Sequence, residues 1–100
     1  MAKMIVMYET PKDKEGFESY YFNSHIPLAE KLPNVKSSSI NRVVNVQNSD
    51  LNLYLIAEIE FENVEDLQEA LRSEEGRKVT DDLKNILPFL EKPPIVTITQ

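Results

Sequence analysis

Cysteine and tryptophan are absent from this 100-residue chain, glycine occurs twice and histidine once. Without cysteine there is no disulfide, no thiolate nucleophile and no thiolate metal site, which fits a reducing compartment such as the cytoplasm. One histidine cannot assemble a His-rich centre either, so no metal is expected. The scarcity of glycine rules out a glycine-rich phosphate loop, and no Gly-x-Ser-x-Gly nucleophile motif occurs. A cofactor would have to be held by shape alone, and none is expected. Cations are also few: 11 Lys and Arg against 17 Asp and Glu leave a net charge of -6. The field of such a surface repels phosphate backbones and anionic headgroups, which excludes nucleic acid and membrane surfaces as partners. No apolar run approaches the ~20 residues needed to cross a bilayer, and the apolar stretch ending at Tyr8 is too short for a signal sequence.

What the chain does contain is a succession of clear periodicities, and its length fits one domain over residues 1–100. Residues 4–8 form a short Ile- and Val-bearing run, closed by a turn around Pro11, and read as a strand. From Lys14 the spacing becomes helical, with Phe17, Tyr20, Tyr21, Ser24 and Leu28 on one side and Asp13 as N-cap. Residues 35–46, with Ile40, Val43, Val44 and Val46, and residues 51–61 flank a polar turn and read as an antiparallel hairpin. In the second of these strands Leu53, Leu55, Ala57, Ile59 and Phe61 share one face, and Tyr54, Ile56, Glu58 and Glu60 share the other. Asn63 and Ser73 are placed to cap two further helical stretches, the first with Val64, Leu67, Ala70 and Leu71 inward, the second with Val79, Leu83, Ile86 and Leu87 inward. Pro88 stops the second, and residues 95–99 are a β-branched final strand.

The order β-α-β-β-α-β specifies an α+β, ferredoxin-like sandwich: a four-stranded antiparallel sheet with helices on one face. The other face carries Tyr54 and Ile56 and needs a cover. A second copy of the chain supplies one, so the expected assembly is a homodimer, a dimeric α+β barrel.

Several stretches together resemble the EthD family. They are Met4-Ile5-Val6-Met7-Tyr8, Phe17 with Tyr20-Tyr21, His25-Ile26-Pro27-Leu28 with Leu32-Pro33, Ala57-Glu58 with Phe61, then Ala70-Leu71, Ser73, Glu75-Gly76 and Asp82-Leu83. The tyrosine-rich helix running into His-x-Pro-Leu is the most specific element. The resemblance covers nearly the whole chain and implies the dimeric barrel. It also implies a link to small-molecule breakdown and a loosely defined oxidoreductase activity. Where relatives follow Leu-Pro with glycine this chain has Asn34, which tolerates the left-handed conformation. Related barrels that rearrange lactones use more histidines and a cysteine, so that chemistry is not expected here.

His25 is the leading catalytic candidate. Pro27 lacks an N–H and its ring clashes with the preceding turn, so the sequence predicts two helical segments with a break at His25 and Pro27 at the start of the second. At such a break the imidazole has two roles open to it: tying off free carbonyls, or acting as acid or base on a ligand. Tyr20 and Tyr21 point about 100° apart, one toward the sheet and one toward the pocket rim, unless both serve as packing. Glu58 falls on the uncovered face, where it either pairs with Arg42 or faces the pocket. The binding set is thus Tyr20, Tyr21, Pro27, Arg42, Tyr54, Ile56 and Glu58, around a pocket between the uncovered face and the first helix. Its ligand would be a small apolar or aromatic organic molecule of a catabolic or secondary-metabolic pathway. The chemistry would be cofactor-free oxidation or isomerisation, or else binding without turnover. Asp81-Asp82 and Glu74-Glu75 read as a solvated helix face.

Overall fold

The computed structural model describes every residue, Met1–Gln100. Strand β1 (Ala2–Glu9) leads into helix α1 (Lys14–Tyr20), a π-helical turn (Tyr21–His25) and the short α2 (Ile26–Ala29). The hairpin β2 (Val35–Arg42) and β3 (Leu53–Phe61) follows, then α3 (Val64–Arg72), α4 (Glu74–Ile86), a 3-10 turn (Leu87–Phe89) and β4 (Ile95–Thr99). The sheet runs in the order β2-β3-β1-β4, and each neighbouring pair is antiparallel. This is the four-stranded antiparallel α+β sandwich that the alternation of periods predicts.

Local chemistry sets the helix starts. The Asp13 side chain accepts from Gly16 N at 3.0 Å, Asn63 from Asp66 N at 2.8 Å and Ser73 from Gly76 N at 3.0 Å. Each satisfies one of the amides a first turn leaves without a partner. Asn34 sits at φ 67°, the left-handed turn that its side chain tolerates. Gly76 has a packing reason: a Cβ there would stand 2.2 Å from the Ala70 carbonyl oxygen and 2.6 Å from that of Leu71. Only glycine lets α4 start this close to the end of α3.

The core divides into two. Tyr8, Phe17, Tyr21, Leu55, Ile86 and Leu90 pack together under α1 and α4, and Ala2, Met4, Phe61, Leu67 and Ala70 pack under α3. These β1 and β3 residues alternate in sequence, so they line one face of the sheet. The opposite face carries Ile5, Met7 and Ile56, in register as the pairs Ile5–Glu58 and Met7–Ile56, and all are only partly buried.

Three expectations need correction. Strand β2 ends at Arg42 rather than continuing to Val46, and Val44 is 97% exposed. Tyr54 leaves the uncovered face. The β1–β3 register slips between Tyr8, opposite Leu55, and Glu9, opposite Leu53, so Tyr54 is the extra residue of a bulge. Its ring packs edge-on against Phe17, 6.1 Å between centroids. The helix, finally, does not break at His25. It widens by one residue, with the Ile26 amide bonding the Tyr21 carbonyl five residues back. A π turn frees a carbonyl just where Pro27 has no N–H to offer, so the proline is accommodated inside a continuous helical path.

Candidate functional site

The π turn changes which side chains share a face. Phe17, Tyr21 and His25 are all buried and spaced by four, the spacing a wider turn keeps in line. Their rings form one stack: Phe17 on Tyr21 with centroids 5.1 Å apart, and Tyr21 on His25 at 5.6 Å with 22° between planes. This places the imidazole at the inner end of an aromatic column, facing the sheet, instead of at a helix end tying off carbonyls.

There it meets α4. His25 Nδ1 lies 2.9 Å from Asp82 Oδ2, and Asn85 Nδ2 donates to Asp82 Oδ1 at 2.9 Å. The Tyr20 hydroxyl donates to that same oxygen. His25 and Asp82 are 8% and 7% exposed. Burial alone would raise the Asp82 carboxyl, but the hydrogen bonds from Tyr20, Asn85 and His25 outweigh it and hold the group below the usual aspartate range. A carboxylate so held fixes the Nδ1–H tautomer of its histidine. In the neutral ring Nε2 is then the nitrogen with the free lone pair.

His25 borders a cavity of about 380 Å³ between the helix-covered face of the sheet and the segment from Tyr21 to Glu30. Val6, Tyr8, Ile40, Ala57 and Ile59 form its sheet wall, Ile26 and Ala29 its helix wall, and Val79 of α4 closes one side. Ser37, Ser38, Ser39 and Lys36 of the edge strand β2 edge it with polar groups. The volume falls within the roughly 300–1,000 Å³ of small-molecule sites, and an apolar wall with a few convergent polar groups is their usual lining. The cavity therefore lies on the covered side of the sheet, not the uncovered side where the sequence placed it.

The residues singled out from sequence separate accordingly. His25, Tyr21 and Glu58 border the cavity, although the Glu58 carboxylate pairs with Lys3 at 3.6 Å. Arg42 does not meet Glu58; its guanidinium bonds Glu18 at 2.6 Å and lies over the Phe22 ring. Tyr54 joins that cluster, its hydroxyl donating to the other Glu18 oxygen at 2.5 Å. The hydrogen bonds from Arg42 and then Tyr54 draw the Glu18 carboxyl below its ordinary range. Tyr20 reaches Asp82 rather than the cavity, Pro27 is exposed on the outer surface and Ile56 lies on the uncovered face.

Asp82, which reads from sequence as solvated surface, is buried at the centre of this network. Its position carried the signal: it lies three residues after Val79 and four before Ile86, on the inward stripe of α4. No group of three His, Asp or Glu side chains converges as a metal site would.

A family model for the EthD domain matches residues 9–87. The chain belongs to the EthD family. An ethyl tert-butyl ether D family protein of Bacillus halodurans is 33% identical, with a TM-score of 0.86 over 100% of this chain and 97% of that one. Over 85 residues the EthD chain is 26% identical to an 11.0 kDa protein of the thcB-thcC intergenic region of Rhodococcus erythropolis, spanning 85% of this chain and 82% of the relative. A dimeric protein with a ferredoxin-like fold from Bacteroides fragilis, 15% identical, superposes with a TM-score of 0.63 over 99% of this chain and 94% of that one, which supports the fold.

Proposed function

We propose that this EthD protein binds a small hydrophobic or aromatic organic molecule in the cavity beside His25, and that the His25–Asp82 pair acts there as a general base. The observation that carries this reading is the direction of the imidazole. Its Nδ1 is committed to a buried carboxylate, and its ring edges an apolar space of ligand size. A base held this way takes a proton through Nε2, and Asp82 stabilises the imidazolium that results. Lifting a proton from an activated carbon and returning it elsewhere is isomerisation; oxidation would need an acceptor for the electrons, such as dioxygen.

The same reading includes a homodimer. Ile5, Met7 and Ile56 make an apolar centre on a sheet face that no helix covers, and a second copy is the simplest cover. The solved neighbour from Bacteroides fragilis is described as dimeric, which favours it.

The competing reading is a purely structural His25, a polar tie between the π turn and α4. Replacement decides between them. His25→Ala should keep fold and dimer but lose the ability to exchange the methyl protons of acetophenone in D2O, followed by proton NMR. A folded His25→Ala protein that exchanges them as fast as the wild type would overturn the catalytic role.

A further inference from the structure

The chain has four tyrosines. Two of them give their hydroxyls to carboxylates, Tyr20 to Asp82 and Tyr54 to Glu18. Tyr8 and Tyr21 do not. Each is 2% exposed, their rings meet edge to face at 5.3 Å, and both border the cavity. No polar side-chain atom sealed inside this protein lacks a partner. The two hydroxyls bond neither a carboxylate nor the backbone; they neighbour each other, and both residues line the cavity. A hydroxyl carries one donor and two acceptor positions. Two adjacent hydroxyls that share one hydrogen still leave one O–H to donate outward.

Beside this donor stands its complement. The Tyr21 ring stacks on His25, whose Nε2 is the acceptor of the neutral ring because Nδ1 is held by Asp82. An apolar cavity with one outward donor and one base side by side matches a particular ligand. That ligand has a hydrocarbon body, an oxygen that accepts a hydrogen bond, and an acidic hydrogen next to that oxygen-bearing carbon.

We infer that Tyr8 and Tyr21 form an oxygen-binding clamp, and that the substrate class is an enolisable aromatic or alicyclic carbonyl compound, its oxygen on the clamp and its α-hydrogen toward His25. This rests on the cavity being the ligand site. In the step it supports, Nε2 takes the α-proton, the C–H electron pair becomes the new C=C bond, and the carbonyl π pair moves onto oxygen. The enolate oxygen then accepts from the clamp, and the imidazolium is held by Asp82. Return of the same proton to either end of the delocalised anion completes the cycle with no oxidant consumed. Burial first, offset in part by the Tyr8 hydroxyl, pushes Tyr21 up to about 12, so it stays a donor at neutral pH. Burial and then Tyr21 push Tyr8 higher still.

Acetophenone and α-methylstyrene test the clamp, since they share a shape and differ in whether oxygen or a methylene group faces it. The wild-type protein, titrated with each by NMR, should bind the ketone about tenfold tighter, in line with one satisfied buried donor. Tyr21→Phe and Tyr8→Phe, checked for fold by circular dichroism, should reduce that preference and leave α-methylstyrene binding within about twofold of wild type. Equal affinity for the two compounds in the wild type overturns the clamp while the cavity stands, and does so without any variant having to fold. A preference that survives in the Tyr8→Phe/Tyr21→Phe double variant also overturns it. Failure of both compounds to bind the wild type overturns the cavity reading and the clamp together.

Discussion

His25 and Asp82 stand 57 positions apart in the chain, yet Nδ1 of one and Oδ2 of the other meet at 2.9 Å, each nearly sealed from solvent. The pair joins the π turn after α1 to the middle of α4. Asp82 also receives Tyr20 and Asn85, so one carboxylate organises three donors from two helical segments.

Removing that carboxylate should therefore cost stability as well as function. Asp82→Ala leaves three donors without their shared acceptor and is expected to destabilise the fold by about 3 kcal/mol, measured by urea denaturation. Asp82→Asn keeps the volume but loses the charge and can present an amide N–H to the imidazole. It should stay folded, release the Nδ1–H tautomer and lose proton exchange on acetophenone.

The depressed carboxyls of Asp82 and Glu18 set a pH signature. A folded-state value below the unfolded one, about 3.9 for Asp and 4.3 for Glu, means these groups stabilise fully above those values. The stabilisation is lost as pH falls through the lower folded values. Melting temperatures followed from pH 7 down to pH 2 should fall steeply in this acid range. The gap between wild type and Asp82→Asn should narrow on the way down.

Gly76 yields a test of packing alone. Its missing Cβ would stand 2.2 Å from a backbone oxygen of α3, an atom that cannot rotate away. Gly76→Ala should destabilise by about 1–3 kcal/mol, although alanine is the better helix former in an open position. A neutral or stabilising result in urea denaturation would show that α3 and α4 are not this close.

Association is tested on the uncovered face. Ile56→Lys puts a charge at the centre of the patch formed with Ile5 and Met7, and should turn a sedimenting dimer into a monomer without altering the circular dichroism spectrum. A wild-type protein that sediments as a monomer at high micromolar concentration would remove the barrel.

Much of this fold was legible because its signals are local. Alternation at Leu55, Ala57 and Phe61, the caps at Asp13, Asn63 and Ser73, and the β-branched run at Ile95 each report on a few neighbouring residues. The site was less legible because it depends on departures from those periods. The π turn shifts the buried stripe from a spacing of 3.6 to one of four, which moves His25 inward and leaves Leu28 only half-buried. The bulge at Tyr54 turns one residue to the other face and brings it to Glu18, a partner no strand alternation proposes. Arg42 follows it there instead of meeting Glu58. Asp82 was hidden by its charge: aspartate reads as surface unless its place on the Val79–Ile86 stripe is weighed against its polarity. His25 was marked by sequence through the proline beside it, as Tyr21 was through the tyrosine-rich helix, and the structure replaces a helix break with a widened turn as the reason.

The most direct test of a cavity worked by a held histidine is the 15N NMR spectrum of the His25 ring, recorded at neutral pH before and after adding acetophenone. The expected neutral tautomer carries its proton on Nδ1, against Asp82, and leaves Nε2 free. Added ketone should shift Nε2 and the amides of Tyr21, Ile40 and Ala57 together. A ring protonated at Nε2 alone, or a His25 that does not respond while the ketone binds elsewhere, would contradict the assignment of this cavity as the site.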